Sequence, residues 1–164
     1  MSTSRIEADA ASPTTATTAE REIVLSRVFD APRALVFDAW TRPEHIAQWW
    51  GPRGFTTTTH SMDFRVGGVW RFVMHGPDGT DYPNDVRYTE IVKPERLAYG
   101  HGSDDGGDPN FSVVVTFAER GGSTEITMRM ILASAEELRR MREFGAVEGG
   151  KQTLDRLGEF LAAR

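Results

Sequence analysis

The sequence predicts an α+β domain: a curved antiparallel sheet of about six or seven strands around a long C-terminal helix, with two short helices after the first strand. Three observations carry that prediction. Apolar residues recur at helical spacing up to Trp50, alternate with period 2 from Thr56 to Met130, and return to helical spacing from Ser134 onward. Strand and helix patterns are segregated, without the strand-helix-strand alternation that builds a parallel sheet. The last segment carries a continuous apolar stripe, the cover that a one-sided apolar sheet needs.

Met1 to Glu20 is rich in Ala, Ser and Thr and has little to bury, so it is expected to form a disordered tail, with the domain spanning 21–164. Ile23 to Phe29 is β-branched and aromatic enough for a strand. Asp30 ends it and can cap a short helix with Pro32 in its first turn and Leu35, Val36, Ala39 and Trp40 on one face. Thr41 and Glu44 have capping-box spacing for a second short helix, which stops at Trp49-Trp50-Gly51-Pro52.

The sheet region then reads as a meander. Thr56 to Asp63 forms a strand, Gly67-Gly68 punctuates it, and Trp70, Phe72 and Met74 alternate with Arg71, Val73 and His75. Gly76-Pro77-Asp78-Gly79 is a turn by composition. Asp85 to Lys93 and Leu97 to His101 are strands separated by Pro94-Glu95, and Gly102 to Pro109 is an acidic loop. Phe111, Val113, Val115 and Phe117 share one face of a strand; after Gly121-Gly122, Ile126, Met128 and Met130 share one face of the last. Ser134 and Glu137 then have capping-box spacing for one long helix, whose stripe is Leu138, Met141, Phe144, Val147, Leu154, Leu157 and Leu161.

At 164 residues one core suffices, and the folded part is large enough to be stable without disulfide or metal. The chain has no cysteine, which removes disulfides, thiol nucleophiles and Cys-containing metal sites. A net charge of −5 argues against a nucleic-acid partner, whose phosphates need clustered cations. No apolar run approaches a membrane span and the first residues lack the pattern of a signal peptide, so the expected location is cytoplasmic.

Candidate functional residues come from the predicted inner face. Gly145, Gly149 and Gly150 each weaken a helix interior by roughly 1 kcal/mol relative to Ala, so they should either let the helix approach the sheet closely or leave space between them. Large, adaptable apolar side chains face that space. The candidate ligand-binding residues are Trp49, Trp50, Phe64, Trp70, Phe72, Met74, Tyr88, Phe111, Val113, Met128, Met130, Phe144 and Gly149. The adjacent Trp49 and Trp50 cannot both point inward on one helix face, which places one of them at a rim.

Several runs resemble a known family. Val28-Phe29-Asp30-Ala31-Pro32, Val36 to Thr41, Pro43-Glu44 and Trp49-Trp50-Gly51-Pro52 are similar to the opening of the START-like (SRPBCC) superfamily. Asp63 to Met74, with Arg65, Gly67-Gly68 and Trp70, then Gly76 to Gly79, Tyr88 to Leu97 and Gln152 to Leu157 follow the same pattern. The branch is that of the C-terminal domain of the activator of heat-shock protein 90 ATPase, and the resemblance covers Arg21 to Leu161. It implies a helix-grip fold with a cavity between sheet and helix, a small hydrophobic molecule as partner and a chaperone contact as the alternative. Gly150 departs from the pattern, since relatives often carry Trp there.

No nucleophile elbow, phosphate loop or dinucleotide fingerprint is present, and His45, His60, His75 and His101 have no close metal-ligand spacing, so no cofactor or metal is expected. If the cavity is catalytic, as in aromatase/cyclase relatives, the agents nominated by the pattern are Glu90, Asp63 or His75.

Overall fold

The computed structural model describes residues 5–8, 14–18, 21–102 and 111–164. Two short strands, β1 (Arg5–Ala8) and β2 (Thr15–Thr18), precede β3 (Glu22–Phe29). Helices α1 (Arg33–Thr41) and α2 (Pro43–Ile46) follow, then β4 (Thr56–Met62), β5 (Val69–His75), β6 (Asp81–Val92), β7 (Arg96–Gly102), β8 (Phe111–Arg120) and β9 (Ser123–Leu132). Two helices, α3 (Ala135–Glu143) and α4 (Ala146–Ala162), end the chain. All strands are antiparallel in one sheet of order β1-β2-β3-β9-β8-β7-β6-β5-β4.

The seven strands from β3 to β9 match the predicted meander, with β3 returning to pair beside β9 (Phe29 opposite Thr124, Glu22 opposite Ile131). The first twenty residues, for which no ordered element was expected, supply β1 and β2 among their described residues. Ala16 pairs with Leu25 there. Without that hairpin β3 would leave a row of unpaired N–H and C=O groups, and such an edge is a template for any β-compatible segment. The loop expected at Gly102 to Pro109 falls, apart from Gly102, outside the described residues.

Local capping follows the sequence in part. Ser134 Oγ accepts the N–H of Glu137 at 3.1 Å and starts α3 as predicted. Thr41 does not cap α2; its hydroxyl donates back to Phe37 O at 2.9 Å at the end of α1, and Arg42 takes the cap position. Asp30 likewise does not cap α1, where Pro32 occupies that place. The predicted single C-terminal helix is two, because Gly145 adopts a left-handed φ of +82° between α3 and α4.

The core is the inner face of the sheet beneath α4. Ile23, Leu25 and Phe29 of β3, Val113, Val115 and Phe117 of β8 and Ile126 of β9 meet Leu154, Leu157 and Leu161. Each such burial contributes roughly 1.5–3 kcal/mol. Arg27 shares this inner face and pairs with Asp155 of α4 at 2.6 Å, its guanidinium 5.0 Å from the Phe29 ring centre. Gly158 makes room for it, since a Cβ there would lie 2.8 Å from Arg27 Nη2.

Candidate functional site

Where α3 and the first turns of α4 cross the sheet, a cavity of about 280 Å3 remains. Its floor is the period-2 face of the strands: Met74 from β5, His101 from β7, Phe111 from β8, and Met128 and Met130 from β9. Trp40 of α1 and the Trp50-Gly51-Pro52 turn close one side. Met141, Phe144, Gly145 and Ala146, with Gly149, Gly150, Thr153 and Leu154, form the roof.

Of the predicted ligand-binding residues, Trp50, Met74, Phe111, Met128, Met130, Phe144 and Gly149 are brought together on this wall. The others are not. Trp49 is fully buried in the core, its indole N–H donating to Ala39 O at 3.0 Å and its ring 4.9 Å from that of Trp40. Trp70 and Phe72 stack at 3.9 Å behind Trp50 and form a second layer. Phe64 and Tyr88 pack edge to face at 4.9 Å, Phe64 also meeting Phe37, and Val113 is core. Neither tryptophan of the pair is an exposed rim: Trp50 is 6% exposed and belongs to the cavity side wall, while the exposed aromatic at its margin is Phe144, 90% exposed.

Sequence reasoning missed Trp40, His101, Met141, Thr153 and Leu154 as lining residues. His101 carried a signal: on β7 it continues the alternation Leu97, Tyr99, His101 on the inner face. Thr153 and Leu154 sit one turn beyond Gly149, the neighbourhood a helix repeat puts beside it.

The two glycines of α4 have different uses. A Cβ on Gly150 would come within 2.4 Å of Leu25 Cδ1, so this residue permits close approach of helix and strand. A Cβ on Gly149 would meet only Pro52 Cγ, at 3.4 Å, so its missing side chain is space.

The cavity wall contains two polar side chains other than the indoles. Thr153 is satisfied locally, its hydroxyl donating to Gly149 O at 2.9 Å. His101 is the one titratable lining group. It lies against the rings of Phe111 (4.9 Å), Phe72 (6.0 Å) and Trp50 (6.2 Å), and burial pushes it down to about 4, so it is neutral at pH 7. Deeper on the same strand Tyr99 Oη is buried without a hydrogen-bond partner, and burial raises its phenol.

Glu90, Asp63 and His75, nominated for catalysis, are all off this wall. Glu90 accepts from Arg96 Nε at 2.8 Å, Asp63 from Arg65 Nε at 2.8 Å, and His75 bonds Thr58 and Asp81. Among the described residues no group of three or more His, Asp or Glu is placed to hold a metal ion.

The Gln152 to Leu157 run now has a physical explanation. Gln152 Oε1 accepts the N–H of Arg53, Asp155 pairs with Arg27, and Arg156 Nη1 donates to Gly51 O at 2.8 Å and Pro52 O at 3.1 Å. These contacts tie α4 to β3 and to the Trp50-Gly51-Pro52 side of the cavity.

Residues 30–162 match the family model described as activator of Hsp90 ATPase homolog 1-like protein. The chain belongs to this family. Solved structures share its fold, including protein Ms6760 from Mycobacterium smegmatis, with 25% identity over 99% of both chains and a TM-score of 0.80. A protein from Chromobacterium violaceum has 27% identity over 85% of this chain and 95% of its own, with a TM-score of 0.71. One from Nitrosomonas europaea has 24% identity over 88% and 96%, with a TM-score of 0.81. No curated protein matches the chain in sequence. Gly68, in the Asp63 to Met74 run, could not carry a Cβ, which would lie 2.0 Å from Asp63 O. No described helix is long and apolar enough to cross a membrane.

Proposed function

We propose that this member of the activator of Hsp90 ATPase homolog 1-like family binds a small hydrophobic molecule in the cavity between the sheet and α3–α4. One observation carries the reading: a cavity of about 280 Å3, just below the roughly 300–1,000 Å3 range of ligand pockets, has an apolar wall with no charged side chain. The burial of apolar ligand surface there supplies the affinity, at roughly 25 cal/mol per Å2 before the cost of immobilising the ligand. A protein at work in the cytoplasm, as the sequence suggests, would meet such molecules as dissolved metabolites.

Native mass spectrometry of freshly purified protein, followed by solvent extraction, is the test. The expected result is a retained small molecule that Leu154→Trp, which fills the cavity from α4, no longer retains. An empty protein that also fails to take up naphthalene would refute the reading. A second reading, contact with an Hsp90-type chaperone, is supported by the family alone; retention of the chaperone by immobilised protein would support it, and no retention would remove it.

A further inference from the structure

We infer that the molecule held in this cavity carries a hydroxyl group on an apolar ring framework, and that His101, oriented by Asn84, is the polar anchor receiving that hydroxyl. The inference rests on the cavity-binding reading and specifies its ligand. It starts from Asn84 on β6, whose Nδ2 donates to Tyr82 O at 2.9 Å. That bond turns the amide oxygen toward β7, where His101 Nε2 lies 3.2 Å from Asn84 Oδ1. An amide oxygen only accepts, so Nε2 carries the imidazole proton. Nδ1 then holds a lone pair, and it has no partner among the described residues. The same burial that keeps the ring neutral at pH 7 keeps that lone pair available.

Beside it stands Trp50. Trp49 and Trp70 donate their indole N–H to Ala39 O and Thr59 Oγ1, whereas that of Trp50 has no acceptor among the described residues. The Trp50 and His101 rings are 6.2 Å apart on the same wall. Two residues of the wall, His101 and Trp50, thus carry one acceptor and one donor in an apolar surround. A hydroxyl satisfies both, giving its proton to Nδ1 and accepting from the indole. A carboxylate has no proton for Nδ1 and would leave water with no cation on the wall, and an ammonium group would find no anion there. The selected class is therefore an uncharged ring alcohol or phenol.

Calorimetric titration of the full chain at pH 7 with 2-naphthol, 2-methoxynaphthalene and naphthalene tests this. The expected result is about tenfold tighter binding of 2-naphthol than of naphthalene, the worth of one net hydrogen bond. The methyl ether, which keeps the oxygen as an acceptor for the indole but has no proton for Nδ1, should bind more weakly than 2-naphthol. In His101→Phe the advantage of naphthol over the ether should vanish while naphthalene still binds. As a readout independent of that variant, the histidine Nδ1 resonance of 15N-labelled wild-type protein should move with 2-naphthol and stay with the ether. Equal affinity for naphthol and ether, with no movement of Nδ1, would overturn the anchor and leave cavity binding standing. Failure of all three probes to bind would overturn both.

Discussion

Replacing Gly149 and Gly150 one at a time by Ala separates space from close packing on adjacent residues of α4. In both variants the helix gains, since Ala is better than Gly in a helix interior by about 1 kcal/mol. At position 149 the new methyl meets only Pro52 Cγ, at ordinary contact distance of 3.4 Å, so Gly149→Ala should be stabilised by about 1 kcal/mol. At position 150 the methyl would sit 2.4 Å from Leu25 Cδ1, and Leu25 is fully buried on β3. Forcing that side chain aside costs about 1–3 kcal/mol. The net for Gly150→Ala therefore runs from no change to a loss of about 2 kcal/mol, and the two variants should differ by about 1–3 kcal/mol. Urea unfolding followed by circular dichroism and by tryptophan fluorescence measures the difference, with an unchanged denaturant slope as the check that the native state is intact. Equal stabilisation of the two would refute the close approach of α4 to β3, and with it the assignment of different uses to the two glycines.

Gly145→Ala should destabilise the protein by about 1 kcal/mol, because the left-handed φ of +82° strains a side-chain-bearing residue even though no atom crowds the position; thermal unfolding would show it, and an unchanged midpoint would count against the break between α3 and α4. Asp155→Ala leaves Arg27 on the inner face without its carboxylate, with an expected loss of about 1.5–3 kcal/mol by urea unfolding; a loss below a few tenths would make the pair ornamental. Stability should also depend on pH through His101. Its folded pKa of about 4 lies below the ordinary 6.5, so between those values the unfolded chain takes up a proton that the folded one does not. Stability is then fully present above about pH 6.5 and falls as the pH drops toward 4, by up to about 3 kcal/mol. His101→Phe should flatten the curve in that window, and a curve identical to wild type would refute the buried neutral imidazole.

Period and turn chemistry made the sheet legible, because one buried face forces strict alternation: Phe111 to Phe117 and Ile126 to Met130 occupy the inner face as their spacing requires. The helices were less legible at their ends. Thr41 and Glu44 have the right spacing for a box, yet the Thr41 hydroxyl finds Phe37 O first, a competition that spacing does not express. Gly145 has the spacing of one more helical glycine, and spacing does not express the left-handed φ with which it separates α3 from α4. Among candidate site residues, alternation distinguished inner from outer face but not cavity wall from filled core. Trp70 and Phe72 have the same spacing as Met74; they stack on each other and on Trp50, while Met74 reaches the void. His101 has no metal-ligand spacing in the sequence; its place on the wall follows from strand parity on β7, and its Nε2 meets Asn84 Oδ1 on the neighbouring strand.

That distinction explains how a cavity survives in so apolar an interior. The second half of α4 is held to the sheet by Leu154, Leu157 and Leu161 and by the polar contacts of Gln152, Asp155 and Arg156. Gly145 precedes the helix and its first turn carries Gly149, whose missing side chain leaves open the gap above Met128, Met130 and Phe111. The aromatic layer of Trp49, Trp70 and Phe72 behind Trp50 keeps the side wall from collapsing inward, since each ring is already buried against another. Filling the void by relaxation would mean breaking the aromatic stack or the Arg156 hold on Gly51 and Pro52, and Trp50, Gly51 and Pro52 are themselves part of the cavity wall. The side wall is thus fixed by contacts that also hold the fold, whereas Met74, Phe111 and Met128 of the floor are only partly buried and take no part in these polar ties.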